Sequence, residues 1–223
     1  MNRIDITGII LLAAGLRACS QGFVNLNFEG AKVTLPSGTQ PGPVLVTNAL
    51  FGWSIYYGTF PQTQIYYDDM SLGSSQITLA GTNDPYGQSA IEGNFSVLLQ
   101  GGVTAAGVSI RQTGILPTST ESIFFKAYSL GPMSLSLGGQ DIAYVAVGSG
   151  PNYTMYGGSI PSSLTGQAEQ LVFSVPGGLS GNNVWNIDSI FYSTNPIPEP
   201  STLALAAAGA LLLGLARWRK SPP

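Results

Sequence analysis

What this chain lacks bounds its chemistry. Among 223 residues there is no histidine and one cysteine, Cys19. A Ser-His-Asp triad, a Cys-His pair, histidine-ligated metals and zinc sites built on several cysteines are therefore excluded. Carboxylates remain for acid–base work. Between residues 22 and 195 these are Glu29, Asp68, Asp69, Asp84, Glu92, Glu121, Asp141, Glu169 and Asp188. Glycoside hydrolysis needs two carboxylates at a fixed separation, and no spacing here selects a pair. Asp68 and Asp69 are neighbours at what reads as a strand end. Successive side chains there point to opposite faces, so a turn is the simpler assignment. Aromatics are the richer resource, with 10 Tyr and 9 Phe. Exposed aromatic faces suit the apolar side of a sugar ring and mark binding surfaces. The dense clusters are Phe51-Gly52-Trp53-Ser54-Ile55-Tyr56-Tyr57 and Tyr66-Tyr67. On an alternating strand Trp53, Ile55 and Tyr57 share one face and Tyr56 takes the other. Core packing is the simpler reading for Trp53. The candidate ligand-binding residues are Trp53, Tyr56, Tyr57, Tyr66 and Tyr67.

Short runs broken by Gly, Pro, Asn and Ser must position these side chains. Candidate strands are Phe23–Phe28, Val44–Val46, Trp53–Tyr57, Gln64–Tyr67, Gln76–Leu79, Phe95–Gln100, Val108–Gln112, Ser122–Tyr128, Met133–Leu137, Ile142–Val147, Tyr153–Tyr156, Gln170–Val175 and Val184–Tyr192. Met133, Leu135 and Leu137 alternate with Ser134 and Ser136, and Leu171, Phe173 and Val175 with Val172 and Ser174. Period two with a polar outer face is the mark of a half-buried antiparallel strand. No internal stretch sustains a helical period, and the strand spacing predicts an antiparallel sandwich or barrel. Charged residues make up only 9% of the chain, against about 25% in an average soluble domain. Within residues 22–195 only Lys32, Arg111 and Lys126 are basic, which argues against a nucleic-acid partner. A surface of hydroxyls and amides fits an extracellular protein that meets other polymers.

The two ends read differently. Residues 6–16, Ile-Thr-Gly-Ile-Ile-Leu-Leu-Ala-Ala-Gly-Leu, follow Arg3 and have the length of a signal-peptide core, too short to span a bilayer. Residues 1–20 are thus expected to be an export signal. Cleavage would follow Ala18 or fall near Ser20, while Leu16-Arg17-Ala18-Cys19 also has the shape of a lipoprotein box. At the other end Leu203–Ala216 holds no charge and runs into Arg217-Trp218-Arg219-Lys220. That is a short membrane helix with an interfacial Trp and a cytoplasmic basic flank.

Pro198-Glu199-Pro200, the apolar run and the terminal basic cluster together resemble the PEP-CTERM sorting signal, over residues 196–223. The resemblance implies export, transient anchoring in the inner membrane of a Gram-negative cell, and recognition and cleavage by an exosortase. Such proteins belong to the surface or to the exopolysaccharide matrix. A second resemblance lies in the domain's ends, Val24-Asn25-Leu26-Asn27-Phe28-Glu29-Gly30 and Val184-Trp185-Asn186-Ile187-Asp188-Ser189-Ile190-Phe191. These look like the first and last strands of galactose-binding-like jelly rolls, which include many carbohydrate-binding modules. That resemblance implies a structural calcium held by Glu29 and Asp188, with first and last strands adjacent. The expectation is an all-β antiparallel jelly-roll β-sandwich over residues 22–195, between the signal segment and a C-terminal transmembrane helix. The expected function is non-catalytic, that of a surface or exopolysaccharide-matrix protein binding carbohydrate. The alternative is a small secreted glycosidase or lyase using an Asp/Glu pair.

Overall fold

A computed structural model describes residues 22–35, 41–69, 73–82, 89–103, 106–178 and 183–197. The expected export signal with Cys19, the sorting motif Pro198-Glu199-Pro200, the apolar run and the flank Arg217, Trp218, Arg219 and Lys220 lie outside them. Among the described residues no helix is long and apolar enough to cross a membrane.

The described residues form a two-sheet β-sandwich, as the period-two pattern predicts. The larger sheet has the order β1 (Gly42–Leu45), β4 (Gln64–Tyr67), β5 (Gln76–Gly81), β6 (Phe95–Gln100), β14 (Val184–Ser193), β8 (Ser122–Leu130), β12 (Thr154–Ser159), β11 (Tyr144–Ser149). The smaller has the order β10 (Gln140–Asp141), β9 (Ser134–Leu137), β13 (Ala168–Val175), β7 (Val108–Ile115), β2 (Ser54–Tyr57), β3 (Phe60–Gln62). One short helical turn, Val46–Ala49, follows β1. Pairing is antiparallel except between β4 and β5, which run parallel through Tyr66–Thr78 and Tyr67–Leu79. This corrects the purely antiparallel expectation.

Alternation places the core where the sequence put it. Met133, Leu135 and Leu137 are buried, as are Leu171, Phe173 and Val175. Side chains from the two sheets meet between them: Phe125 of β8 packs edge-on against Phe173 of β13 at 5.3 Å between ring centroids. A buried Phe contributes roughly 1.5–3 kcal/mol by leaving water, so this layer carries much of the stability.

Phe23–Phe28 is not a strand. Asn25 and Phe28 have φ of 50° and 59°, which breaks an extended run. The segment is instead held by a side chain: the Gln112 amide accepts the Val24 N–H at 2.6 Å and donates to the Val24 carbonyl at 2.9 Å. It does lie beside the last strand, as the Ile190 N–H donates to the Leu26 carbonyl at 3.0 Å.

The outer face of the larger sheet is treated unevenly. Under β5, β6 and β14 the outward side chains Gln76, Thr78, Leu98, Asn186 and Asp188 are all buried. Loop backbone crosses them. The Asp69 carbonyl accepts from Gln76 Nε2 and Thr78 Oγ1, the Ser89 carbonyl accepts from Asn186 Nδ2, and the Glu92 N–H donates to Asp188. Over β8 and β12 the cover among the described residues is local: Ile197 lies against Gly157, and Tyr128 stays exposed.

Candidate functional site

The five candidate aromatics do not converge. Trp53 is buried, packs on Phe28 at 5.7 Å, and donates its indole N–H to the Asn25 carbonyl at 3.2 Å. Tyr57 is half-buried against the core, and its hydroxyl accepts the Ile77 N–H at 3.1 Å. Burial pushes that phenol up. Tyr67 is also half-buried against the core and meets Phe95 edge-on. Only Tyr56 and Tyr66 turn away from the core. Tyr56 lies on β2 of the smaller sheet, with the Arg111 guanidinium 4.0 Å from its ring centroid. Tyr66 lies on β4 of the larger sheet and is exposed. Side chains on different sheets, directed away from a shared core, do not form one concavity.

Asp68 and Asp69 act as backbone fasteners. Asp68 is fully buried, and its carboxylate accepts the Gly81 N–H at 2.6 Å. Asp69 contributes the carbonyl that holds Gln76 and Thr78. The turn reading of this pair is the one the geometry supports.

Glu29 and Asp188 lie in one acidic cluster with Glu92, which sequence reasoning missed. Glu29 Oε1 accepts the N–H groups of Asn94 and Phe95 at 2.8 and 2.9 Å, and Oε2 accepts Asn94 Nδ2 at 2.9 Å. A Cβ at Gly93 would fall 2.5 Å from Glu29 Oε1, so glycine there lets the loop close on the carboxylate. Asp188 accepts the N–H groups of Glu92 and Ser189. Burial, against those two hydrogen bonds, pushes its carboxyl up to about 7, and the charges of Glu92 and Glu29 add to the rise. Glu92 accepts Lys126 Nζ and Ser189 Oγ, each at 2.6 Å, and these bonds hold its carboxyl below the usual range. Calcium wants six to eight oxygens with free lone pairs. In this arrangement Glu29 accepts three N–H groups and Asp188 two, so a cation would share their oxygens with those donors. Among the described residues no group of three or more His, Cys, Asp or Glu is placed to hold a metal ion. The two carboxylates are near each other as the resemblance implies, and a calcium between them would need most of its six to eight oxygens from other groups.

A different surface has the chemistry that the sequence sought in Trp53–Tyr57. Thr154 pairs with Ala127 across β12 and β8, and the same register carries Tyr153 to the position beside Tyr128. Both lie on the outer face of the sheet, and Tyr128 is 43% exposed. They line an open groove of about 400 Å³ with Ser129, Ser149, Asn152 and Thr154. The turn behind it is closed by the Gly150 N–H donating to the Tyr153 carbonyl at 2.9 Å. Lys126 Nζ sits 5.0 Å from the Tyr153 ring centroid, steadied by its ion pair with Glu92. Two phenol rings on this face and the Asn152 amide in the turn can stack on and hydrogen-bond a polyhydroxylated ring; Ser129, Ser149 and Thr154 alternate to the side of the sheet that buried Ala127 takes, where Ser129 Oγ bonds the Tyr156 hydroxyl. The groove lining contains no carboxylate. Tyr128 and Tyr153 are distant in sequence, and only the β8–β12 pairing brings them together. The one signal available was that Tyr128 ends the candidate strand Ser122–Tyr128 and Tyr153 begins the candidate strand Tyr153–Tyr156.

No curated protein matches the chain. A solved structure of TmCBM61 in complex with β-1,4-galactotriose is similar to it at 12% identity and a TM-score of 0.37, over 78% of this chain and 97% of that one. Residues 196–220 match the family model of the PEP-CTERM protein-sorting motif. The chain is therefore an exported protein that carries the PEP-CTERM sorting motif directly after its β-sandwich.

Proposed function

We propose that this protein is a non-catalytic component of the cell surface or exopolysaccharide matrix that binds carbohydrate through the Tyr128–Tyr153 groove. Its apolar run would anchor it in the inner membrane until an exosortase processes it near Pro198-Glu199-Pro200. The observation that carries the binding reading is the groove: two tyrosines set side by side on the outward face of the sheet, beside the Asn152 amide, with no acid among the lining residues. Non-catalytic binding needs only that set, whereas glycoside hydrolysis needs two carboxylates flanking the bound sugar. Glu92 and Asp188, which neighbour Lys126 on this sheet, are engaged by Lys126, Ser189 and backbone N–H groups. The test is a glycan-array screen of residues 22–197, extended to exopolysaccharide from a matrix-forming host, with Tyr128→Ala and Tyr153→Ala beside the unaltered protein. Saturable binding to a sugar class, lost in both variants, is the expected result. Binding that both variants retain would move the site elsewhere, and no binding to any glycan would leave a structural matrix role.

A further inference from the structure

The match to the sorting motif begins at residue 196, yet the packed chain does not end there. Thr194, Asn195 and Pro196 are exposed, and then Ile197 is buried, at 9% exposure. Its seat is made by the sheet. Gly157 of β12 pairs with Phe124 of β8 on the outer face of the sheet. A Cβ at Gly157 would fall 2.6 Å from Ile197 Cδ1 and 3.0 Å from the Phe124 ring. The missing side chain thus forms the floor of the seat, and Phe124, stacked on Phe191 at 5.1 Å, forms its wall. The approach is fastened as well. The Glu121 N–H donates to the Ser193 carbonyl at 2.8 Å, the Asn195 N–H to Ser193 Oγ at 3.0 Å, and Ser122 Oγ to the Asn195 carbonyl at 2.6 Å. The chain is held to within one residue of Pro198-Glu199-Pro200.

We propose that Ile197 restrains processing of the sorting motif by positioning the stretch before it on the domain. Seated against Gly157 and Phe124, it keeps the stretch before the motif on the domain, and the stretch becomes available when the seat opens. An enzyme that cuts a peptide takes several residues in extended form, and residues 194–197 cannot be extended in a cleft while fastened to β8 and β12. The effect on processing rests on the sorting reading given above; the seat itself does not.

The full-length protein, purified in detergent, is digested with a broad-specificity protease as wild type, Ile197→Asp, Ile197→Val and Gly157→Ala. Processing of the same four chains is followed in exosortase-carrying and exosortase-lacking cells of one strain. Burial of one Ile is worth about a decade in an opening equilibrium. Cleavage between residues 194 and 200 is therefore expected to rise roughly tenfold in Ile197→Asp and Gly157→Ala, with Ile197→Val near wild type and the melting temperature of the domain in Ile197→Asp close to that of wild type. Processing is expected to rise in the same order. Unchanged proteolysis in Ile197→Asp would overturn the seat. Faster proteolysis with unchanged processing would overturn the positioning role. If no variant differs between the two strains, the sorting reading fails, while the proteolysis still judges the seat.

Discussion

One row of side chains crosses the outer face of the larger sheet through Thr78 of β5, Leu98 of β6, Asn186 of β14 and Tyr128 of β8. All four point away from the core. The first three are buried, at 1%, 1% and 2% exposure, and Tyr128 is 43% exposed. The strands do not differ in kind; what differs is whether a loop lies on top. Over β5, β6 and β14, loop backbone supplies carbonyls and N–H groups to polar side chains that would otherwise be stranded, as buried polar groups require. Over β8 and β12 the face bears Phe124, Lys126, Tyr128 and Tyr153; Ile197 lies against Gly157 at one end, and Tyr128 is exposed at the other. One half of the face has become a second, partly polar interior, and the other is available to ligands and to the chain's own Ile197.

The largest expected effect breaks that distinction on its covered side. Leu98→Ala should cost about 3 kcal/mol in urea unfolding although Leu98 faces away from the core. Tyr128→Ala, in the same row, should change stability by no more than about 0.5 kcal/mol. Equal losses would show that the loops do not bury this face in solution.

Asp188 comes next, because it is the acid under the cover. Its folded carboxyl is raised to about 7, while an unfolded Asp titrates near 3.9. Between those values the folded state binds more protons than the unfolded one, so unfolding free energy falls as pH rises from about 4 to 7 and levels off above. The fall should be on the order of 2 kcal/mol and should be flattened by Asp188→Asn in denaturant titrations at pH 5 and pH 8. A stability that rises across that window would contradict the burial of this carboxyl. Glu92 shifts the opposite way, and its stabilising contribution is lost only as pH falls below the ordinary carboxylate range, so the two are separable.

On the open side the effect should appear in binding. Tyr128→Ala and Tyr153→Ala should each weaken carbohydrate binding about tenfold in calorimetric titration, the scale of one lost aromatic contact. A matching loss from Tyr56→Ala or Tyr66→Ala would place binding on other faces. The smallest effect concerns calcium. With the oxygens of Glu29 and Asp188 engaged by N–H donors, millimolar calcium against chelator should move the melting temperature by less than about 2 °C. A rise of several degrees would show that a cation displaces those donors.

Much of the sandwich was legible because alternation is local. Ser134 and Ser136 between three apolar residues leave one way to bury Met133, Leu135 and Leu137. Phe23–Phe28 misled because positive φ at Asn25 and Phe28 leaves no mark in an apolar run. The candidate site was largely illegible. The aromatic clusters singled out by density, Trp53–Tyr57 and Tyr66–Tyr67, send Trp53, Tyr57 and Tyr67 toward the core, since dense aromatics are the usual means of filling a sandwich. Glu92 and Lys126 gave no sign of meeting, being brought together by a loop crossing from β5 to β6.

The sequence by itself determined two things: which residues alternate and so which strands can pack, and the sorting motif, whose match depends on order along the chain. Tertiary structure alone decided which outward residues meet water, which distant tyrosines become neighbours, and that Ile197, inside the sorting match, is seated on the sheet. The reason is physical. Alternation separates the two faces of a strand, but burial of the outer face depends on segments remote in sequence that cross it, as they do above Leu98 and do not above Tyr128.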